Sequence, residues 1–169
     1  IRRIKKEGIK FTVTPGVPSF AAAAAALEVE LTLPNLSQSV VLTRLSGRAS
    51  AVPENEKLEN FAKTGSVLAL HLSIHRLEEI ISKLIPYYGK ECPLAIVWRA
   101  SWPDQKIILS TLDSIEVKKI ARIDRTAIIF VGKTIGATDF SESSLYAKTY
   151  DRRFRPVGVN PRFPIKDKL

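Results

Sequence analysis

The chain has 169 residues, 45% hydrophobic and 25% charged, which suits one sizeable core or one domain with part of another. It contains no apolar run near the roughly 20 residues of a membrane-spanning helix, and the lone Cys92 excludes an internal disulfide or a cysteine-rich zinc site. The net charge of +9 lies at the ends, because residues 1–10 contribute +4, residues 148–169 contribute +5, and the stretch between them is neutral. A nucleic-acid-binding protein is expected to carry a basic stripe on its folded body, so this distribution disfavours that class.

The first predicted elements are a helix that ends at Gly8 and a strand over residues 9–14. The Pro15-Gly16 turn then leads into a helix built on six alanines, residues 21–26, which are the best helix formers. Because this helix has almost no side chain on any face, it can pack tightly on a sheet or present its backbone as the wall of a cofactor cleft. Both interpretations stay open from the residues alone.

Two residues at the start of the alanine helix have local roles. Pro18 suits an early helical position, and the Ser19 hydroxyl can help to satisfy the free backbone amides there.

Apolar strands separated by helical segments predict an α/β sandwich farther along the chain. The predicted strands cover residues 39–44, 66–72, 93–99, 106–110 and 127–131, and the predicted helices cover residues 54–63, 74–88 and 112–120. Since a short loop joins strands 93–99 and 106–110, these two form an antiparallel hairpin and the sheet is mixed. Residues 136–169 are polar and basic, and we expect an arm on the surface.

Few side chains in this pattern indicate acid–base or metal chemistry. His71 and His75 are four residues apart, but they fall at a strand end and a helix start, so we expect structural or substrate-facing histidines rather than a shared metal. Arg44 and Arg48 follow a strand and could clamp a carboxylate, although solvated arginines explain them equally well. No paired carboxylates, triad or glycine-rich phosphate loop is recognisable. The pattern favours chemistry by positioning, such as methyl transfer from an already activated sulfonium.

Several segments together resemble the tetrapyrrole methylase family. They are PGVPSF (15–20) with the alanine run, SQSVVLTR (37–44), SGRASAVPENE (46–56), LHLSIH (70–75), ASWPDQ (100–105), RTAIIFVG (125–132), DFSESSLY (139–146) and RRFR (152–155). The similarity extends from residue 1 to about residue 156. Within the family, these segments resemble the member that methylates ring carbon C-11 of precorrin-4 or cobalt-precorrin-4 in cobalamin biosynthesis.

The resemblance implies an α/β fold of the tetrapyrrole methylase type, in which a mixed sheet flanked by helices forms the C-terminal domain. It implies S-adenosyl-L-methionine bound between two domains, a tetrapyrrole substrate and a homodimer, with no nucleic acid, membrane or metal partner. Carried over by position, the cofactor contacts fall on Pro18, Ser19, Leu72, Ala100, Thr126 and Ala127. Leu72 stands where relatives often have methionine. A polycarboxylate substrate would give Arg44 and Arg48 a binding role, no catalytic side chain is assigned, and the lone cysteine indicates a reducing compartment, the cytoplasm.

The family's N-terminal domain, with its glycine-rich loop and Gly-Asp-Pro segment, has no counterpart in these residues. We expect residues 1–14 to be the end of that domain, residues 15–135 the C-terminal domain and residues 136–169 a basic arm. This expectation implies that the chain contains half of the cofactor site. We therefore expect little turnover by this portion alone. Two alternatives remain: another tetrapyrrole methylase, such as a uroporphyrinogen-III methyltransferase, or a small basic nucleic-acid-binding module.

Overall fold

The computed structural model of the chain describes residues 1–47, 50–141 and 143. The helices are α1 (Arg2–Lys6), α2 (Ser19–Leu27), α3 (Leu58–Ala62) and α4 (Leu77–Tyr88). The strands are β1 (Val40–Thr43), β2 (Val67–Leu70), β3 (Pro93–Trp98), β4 (Lys106–Thr111) and β5 (Ala127–Val131). None of the helices in the described part of the chain is long and apolar enough to cross a membrane.

The five strands form one mixed sheet in the order β1-β2-β5-β3-β4. β1 and β2 are parallel, whereas β5 runs antiparallel to both of its neighbours, β2 and β3. β3 and β4 form the antiparallel hairpin that their short connection predicts. The predicted α/β class and the mixed sheet are therefore confirmed.

Both faces of the sheet contribute buried side chains, because successive side chains of a strand point to opposite sides. On one face, α3 and α4 enclose a core that includes Leu70, Ile96 and Ile129. On the other face, Ala23 of α2 is fully buried in a cluster with Ala69 and the fully buried Phe130. The alanine helix thus packs on the sheet, as the first of its two interpretations holds.

Three predicted elements differ from the structure. Residues 9–14 form no strand, and the alternating side chains of Ile9 and Val13 are exposed, because no neighbouring strand among the described residues pairs with them. The predicted helix 54–63 is interrupted at Lys57, whose extended backbone separates a short 3-10 turn from α3 and lets Leu58 face the core. In the predicted helix 112–120, helical backbone is limited to the 3-10 turn Val117–Ile120, in line with the low helix propensity of its β-branched residues.

Smaller differences affect the starts of α2 and α4. Pro18 lies just before α2 with extended backbone, and no side chain caps the helix start, so neither local role predicted for Pro18 and Ser19 is found. The predicted helix 74–88 begins with a 3-10 turn, Ile74–Arg76, before α4. Most of the arm predicted for residues 136–169 lies outside the described residues.

Candidate functional site

The carboxyl ends of three strands meet at one edge of the sheet. Thr43 of β1 pairs with Leu70 of β2, and Trp98, the last residue of β3, pairs with Ala127, the first residue of β5. The chain therefore leaves β1, β2 and β3, and enters β5, at the same edge. In α/β sheets this is the edge at which ligands bind, because the connecting loops there surround a crevice.

Two clefts open along this edge. The first cleft has a volume of about 590 Å³, and four separate segments line it: the start of α2, the turn after β2, the loop after β3 and the approach to β5. The second cleft has a volume of about 320 Å³ and lies beside the end of β1, with Thr43, Arg44, Pro53 and Glu56 in its lining. One side chain, His71, lines both clefts.

Backbone strain is concentrated in the first cleft. In the described part of the chain, the non-glycine residues with positive φ are Glu28, Asn35, Leu72, Arg99, Ser101 and Thr126. The last four of these line the first cleft, with φ between 51° and 69°. A left-handed backbone costs a non-glycine residue about 1–2 kcal/mol, and such residues cluster at functional sites where the surrounding structure holds them in place.

Hydrogen bonds hold this strained backbone in place. The Arg99 amide donates to the Thr126 carbonyl at 2.9 Å, which ties the loop after β3 to the approach to β5. The Ser101 amide donates to the side-chain oxygen of Gln105 at 2.8 Å, which closes the same loop. The positions of Ala100 and Thr126 are thus fixed relative to each other.

Charges in the first cleft are paired. The Arg99 guanidinium lies 2.8 Å from an Asp104 carboxylate oxygen and 4.0 Å from the centroid of the Trp102 ring. At the rim, Arg125 pairs with Asp124 at 2.8 Å, and the hydrogen bond from Arg125 lowers the pKa of that carboxyl. The walls between these pairs are apolar side chains and backbone, which leaves the interior of the cleft close to neutral.

The structure brings most of the sequence-predicted cofactor residues together. Ser19, Leu72, Ala100, Thr126 and Ala127 all line the first cleft. Pro18 is not part of the lining, but it lies between Val17 and Ser19, which both are. The alanine helix also contributes, since Ala22 lines the cleft beside the buried Ala23. The two interpretations of this helix are therefore compatible: one part packs on the sheet and another part forms a cleft wall.

Of the two arginines predicted to bind substrate, one lies among the described residues. Arg44 lines the second cleft, but its guanidinium also organises its own loop, donating to the Leu45 and Ser50 carbonyls at 3.0 and 3.2 Å and to the Ser50 hydroxyl at 2.8 Å. Arg48 lies outside the described residues.

His71, for which the sequence favours a structural or substrate-facing role, lies at this edge and lines both clefts. Its Nε2 atom is buried and has no hydrogen-bond partner among the described residues, and burial lowers the pKa of the imidazole. His71 and His75 both line the first cleft, although the spacing argument did not place them together. Within residues 1–47, 50–141 and 143, no three His, Cys, Asp or Glu side chains are grouped as metal ligands would be.

Known proteins resemble the chain over most of its length. It is 56% identical over 159 residues to a precorrin-4 C(11)-methyltransferase of Sinorhizobium sp., covering 94% of this chain and 63% of the relative. It is 41% identical over 157 residues to a cobalt-precorrin-4 C(11)-methyltransferase of Methanocaldococcus jannaschii, covering 92% of this chain and 60% of the relative. The chain therefore spans somewhat less than two thirds of the length of these relatives.

The fold is also found in solved structures. The crystal structure of a cobalt precorrin-4 methyltransferase superimposes with a TM-score of 0.73 at 37% identity, covering 80% of this chain and 57% of that one. A uroporphyrin-III C-methyltransferase of Thermus thermophilus, crystallised with S-adenosylhomocysteine, shares the fold with a TM-score of 0.60 at 21% identity, covering 78% of this chain and 57% of that one. Residues 1–116 match the family model for tetrapyrrole (corrin/porphyrin) methylases, and the chain belongs to this family.

Proposed function

We propose that the chain is the C-terminal portion of an S-adenosyl-L-methionine-dependent methyltransferase of cobalamin biosynthesis that methylates precorrin-4 or cobalt-precorrin-4 at C-11. The observation that carries the proposal is that a single cleft gathers five of the six positions assigned to the cofactor by resemblance. The names and high identity of the relatives support the choice of reaction within the family. Any cobalt belongs to the substrate.

The first cleft suits S-adenosyl-L-methionine in size and in polarity. Its volume of about 590 Å³ falls in the range of roughly 300–1,000 Å³ that holds small ligands. Helix geometry leaves the amides of Ser19 and Phe20 without acceptors inside α2, so they can donate to a polar group of the ligand. The paired charges leave no net positive charge to repel a sulfonium. When bound, the cofactor supplies an activated methyl group.

The residues of the chain would position the bound cofactor and exclude water from it. Ala22 and Ala100 keep the walls of the first cleft close to the ligand, while the strained Leu72 and Thr126 direct backbone towards it. The Leu72 side chain is 80% exposed although it is apolar, which is typical of a surface that a ligand covers. An in-line displacement needs this alignment more than it needs an acid or a base.

The second cleft suits the tetrapyrrole. Arg44 lines it and can offer a guanidinium to a carboxylate, and Leu42, which is 51% exposed, offers apolar surface to the flat face of a macrocycle. Because the two clefts meet at His71, a ring carbon of the substrate can approach the methyl group in the first cleft.

The remaining features of the proposal concern the whole enzyme. Residues 1–14 would belong to the end of an N-terminal domain, residues 15–135 to the C-terminal domain and residues 136–169 to a basic arm. The exposed apolar side chains of Ile9 and Val13 support this division, because a neighbouring domain would cover them. The enzyme would act as a homodimer in the cytoplasm.

The test uses the complete gene product that contains this chain. We expect S-adenosylhomocysteine to raise its Tm and methyl transfer to precorrin-4 or its cobalt form to exceed transfer to uroporphyrinogen III. Faster transfer to uroporphyrinogen III would overturn the substrate assignment. A salt-dependent shift with DNA or RNA and no response to S-adenosylhomocysteine would favour the nucleic-acid-binding alternative instead.

A further inference from the structure

His71 occupies the boundary between the two clefts. It directly follows β2 and lines the first cleft, beside Leu72, and the second, beside Arg44. Among the described residues, no other residue lines both clefts. A residue at this place borders both the proposed site of the methyl donor and that of the methyl acceptor.

The backbone on either side of His71 is fixed by hydrogen bonds. The His71 amide donates to the Thr43 carbonyl at 2.9 Å, which extends the pairing of β1 with β2. The His71 carbonyl accepts from the Ser73 hydroxyl at 2.8 Å, and that hydroxyl accepts from the Leu45 amide at 3.0 Å. Ser73 is itself buried. The imidazole is therefore carried on a rigid support rather than on a free loop.

The imidazole is buried in part and lacks a partner for Nε2 among the described residues. Buried polar atoms in native proteins are nearly always hydrogen-bonded, so the partner of Nε2 is to be sought outside the described residues, and a ligand of the adjoining clefts is one such partner. Desolvation lowers the pKa of His71, which favours the neutral form that can accept a proton near pH 7.

We propose that His71 is the proton acceptor of the methyl transfer, a role that rests on the proposed function. The ring carbon forms the new bond to the methyl group with its own electron pair, while the carbon–sulfur bond breaks and its pair stays on sulfur as a neutral thioether. The macrocycle thereby gains one positive charge. It loses this charge when a ring N–H bond breaks and Nε2 of His71 takes the proton, which then passes to solvent.

Charged groups of both signs face His71 from the surrounding segments. Those that line the same clefts are Arg44 and Glu56 in the second cleft and His75, Arg99, Asp124 and Arg125 in the first. Arg99 and Arg125 are paired with Asp104 and Asp124, so their fields are partly cancelled. Desolvation therefore accounts for the lowered pKa of His71, and no carboxylate among the described residues holds the imidazole in its charged form.

The central experiment compares the complete gene product with its His71→Asn and His71→Ala variants. We expect kcat to fall about 10²–10⁴-fold, the range of general acid–base catalysis, while the Kd of S-adenosylhomocysteine measured by calorimetry changes less than about twofold. The wild-type rate should decrease towards acid pH as His71 is protonated, and the variants should lose this decrease. Added imidazole should restore part of the His71→Ala rate in proportion to its neutral form.

Ser73→Ala is the matched control, because it loosens the support of His71 and keeps the imidazole. We expect a smaller loss of kcat and the same decrease of the rate at acid pH. A readout free of turnover is the ¹⁵N resonance of His71 Nε2, which should shift when uroporphyrin, a polycarboxylate macrocycle, is added.

The outcomes separate the two proposals. Full activity in His71→Asn, or an equal loss of rate and of S-adenosylhomocysteine binding without rescue by imidazole, would overturn the role of His71 and leave the proposed function standing. Absence of methyl transfer to any tetrapyrrole by the wild-type protein would instead overturn the proposed function, and the role of His71 with it.

Discussion

Replacement of the strained Thr126 tests whether the fixed backbone of the first cleft strengthens ligand binding. Its φ of 58° lies in the left-handed region, and its side chain is exposed, so that replacement by glycine removes strain and little packing. The Arg99 amide bonds to the Thr126 carbonyl, and a glycine keeps this carbonyl in place. We expect Thr126→Gly to stabilise the fold and to weaken cofactor binding.

The size of the effect follows from two opposing terms. A left-handed backbone costs a residue with a Cβ about 1–2 kcal/mol, which glycine recovers. Glycine costs about 0.5–1 kcal/mol in additional entropy of the unfolded chain. The net gain in the free energy of unfolding lies between about 0 and 1.5 kcal/mol, with a central value of about 0.75 kcal/mol, which corresponds to a Tm increase of roughly 2–3 °C. The freed backbone must be ordered again on binding, so we expect the Kd of S-adenosylhomocysteine to rise about fivefold.

Glu28→Gly is the matched control. Glu28 has φ of 56° and ends α2 outside both clefts, at a position where glycine is the preferred residue. Urea unfolding should show a similar stabilisation for both variants, while calorimetry should show weaker binding for Thr126→Gly alone. Unchanged affinity in Thr126→Gly, or equally weakened affinity in Glu28→Gly, would refute the view that strain prepares the first cleft for its ligand.

Three further predictions concern charge, packing and pH. Leu72→Lys should weaken S-adenosylmethionine relative to S-adenosylhomocysteine about threefold in calorimetry, because a charge about 6 Å from the sulfonium in water costs about 0.7 kcal/mol. Gly132→Ala should lower the free energy of unfolding by about 1–3 kcal/mol in urea, since its methyl group would lie 3.0 Å from the Val67 Cγ2 atom. Gly16→Ala, in open space, should instead raise it by about 0.4–1 kcal/mol, because alanine reduces the entropy of the unfolded chain. Burial raises the pKa of the Cys92 thiol from 9.0 to about 11. Its contribution to stability is therefore complete below pH 9 and lost as the pH rises to about 11, and Cys92→Ala should flatten that part of the alkaline unfolding profile.

Much of the sheet could be predicted from local sequence. The run 127–131 is apolar throughout and ends at a glycine, and it forms β5 with the predicted bounds. The hairpin of β3 and β4 follows from the short loop between two apolar runs, and the predicted ends differ from the observed ones by one residue. These segments are predictable because a few neighbouring residues show the hydrophobic pattern of the strand and the turn that ends it.

Other elements depended on partners that local sequence does not reveal. The alternation at residues 9–14 is typical of a strand, but a strand forms only beside another strand, and none among the described residues reaches it. Lys57 breaks a helical pattern because Leu58 gains burial in the core by doing so. In both cases tertiary contacts decide against the local preference.

In the functional site, too, some residues could be located from the sequence, whereas others depend on tertiary contacts. Family resemblance located Ser19, Leu72 and Ala100, which the structure brings into one cleft, but their roles remain predictions. For His71 the sequence could not separate a structural from a substrate-facing role, because the backbone turn at residue 72 and the two clefts that meet there have no local signal. Likewise, the spacing of Arg44 gives no sign that its guanidinium binds its own loop.

The reversed direction of β5 explains how four distant segments can share one cleft. Because β5 lies between β2 and β3 and runs opposite to both, its first residue, Ala127, lies at the edge where the other two strands end. A parallel β5 would place Val131 and Gly132 at that edge, and Thr126 would lie at the far side of the sheet. The contact between the Arg99 amide and the Thr126 carbonyl would then be impossible. The meeting of four distant segments at the first cleft is thus a consequence of the direction of β5.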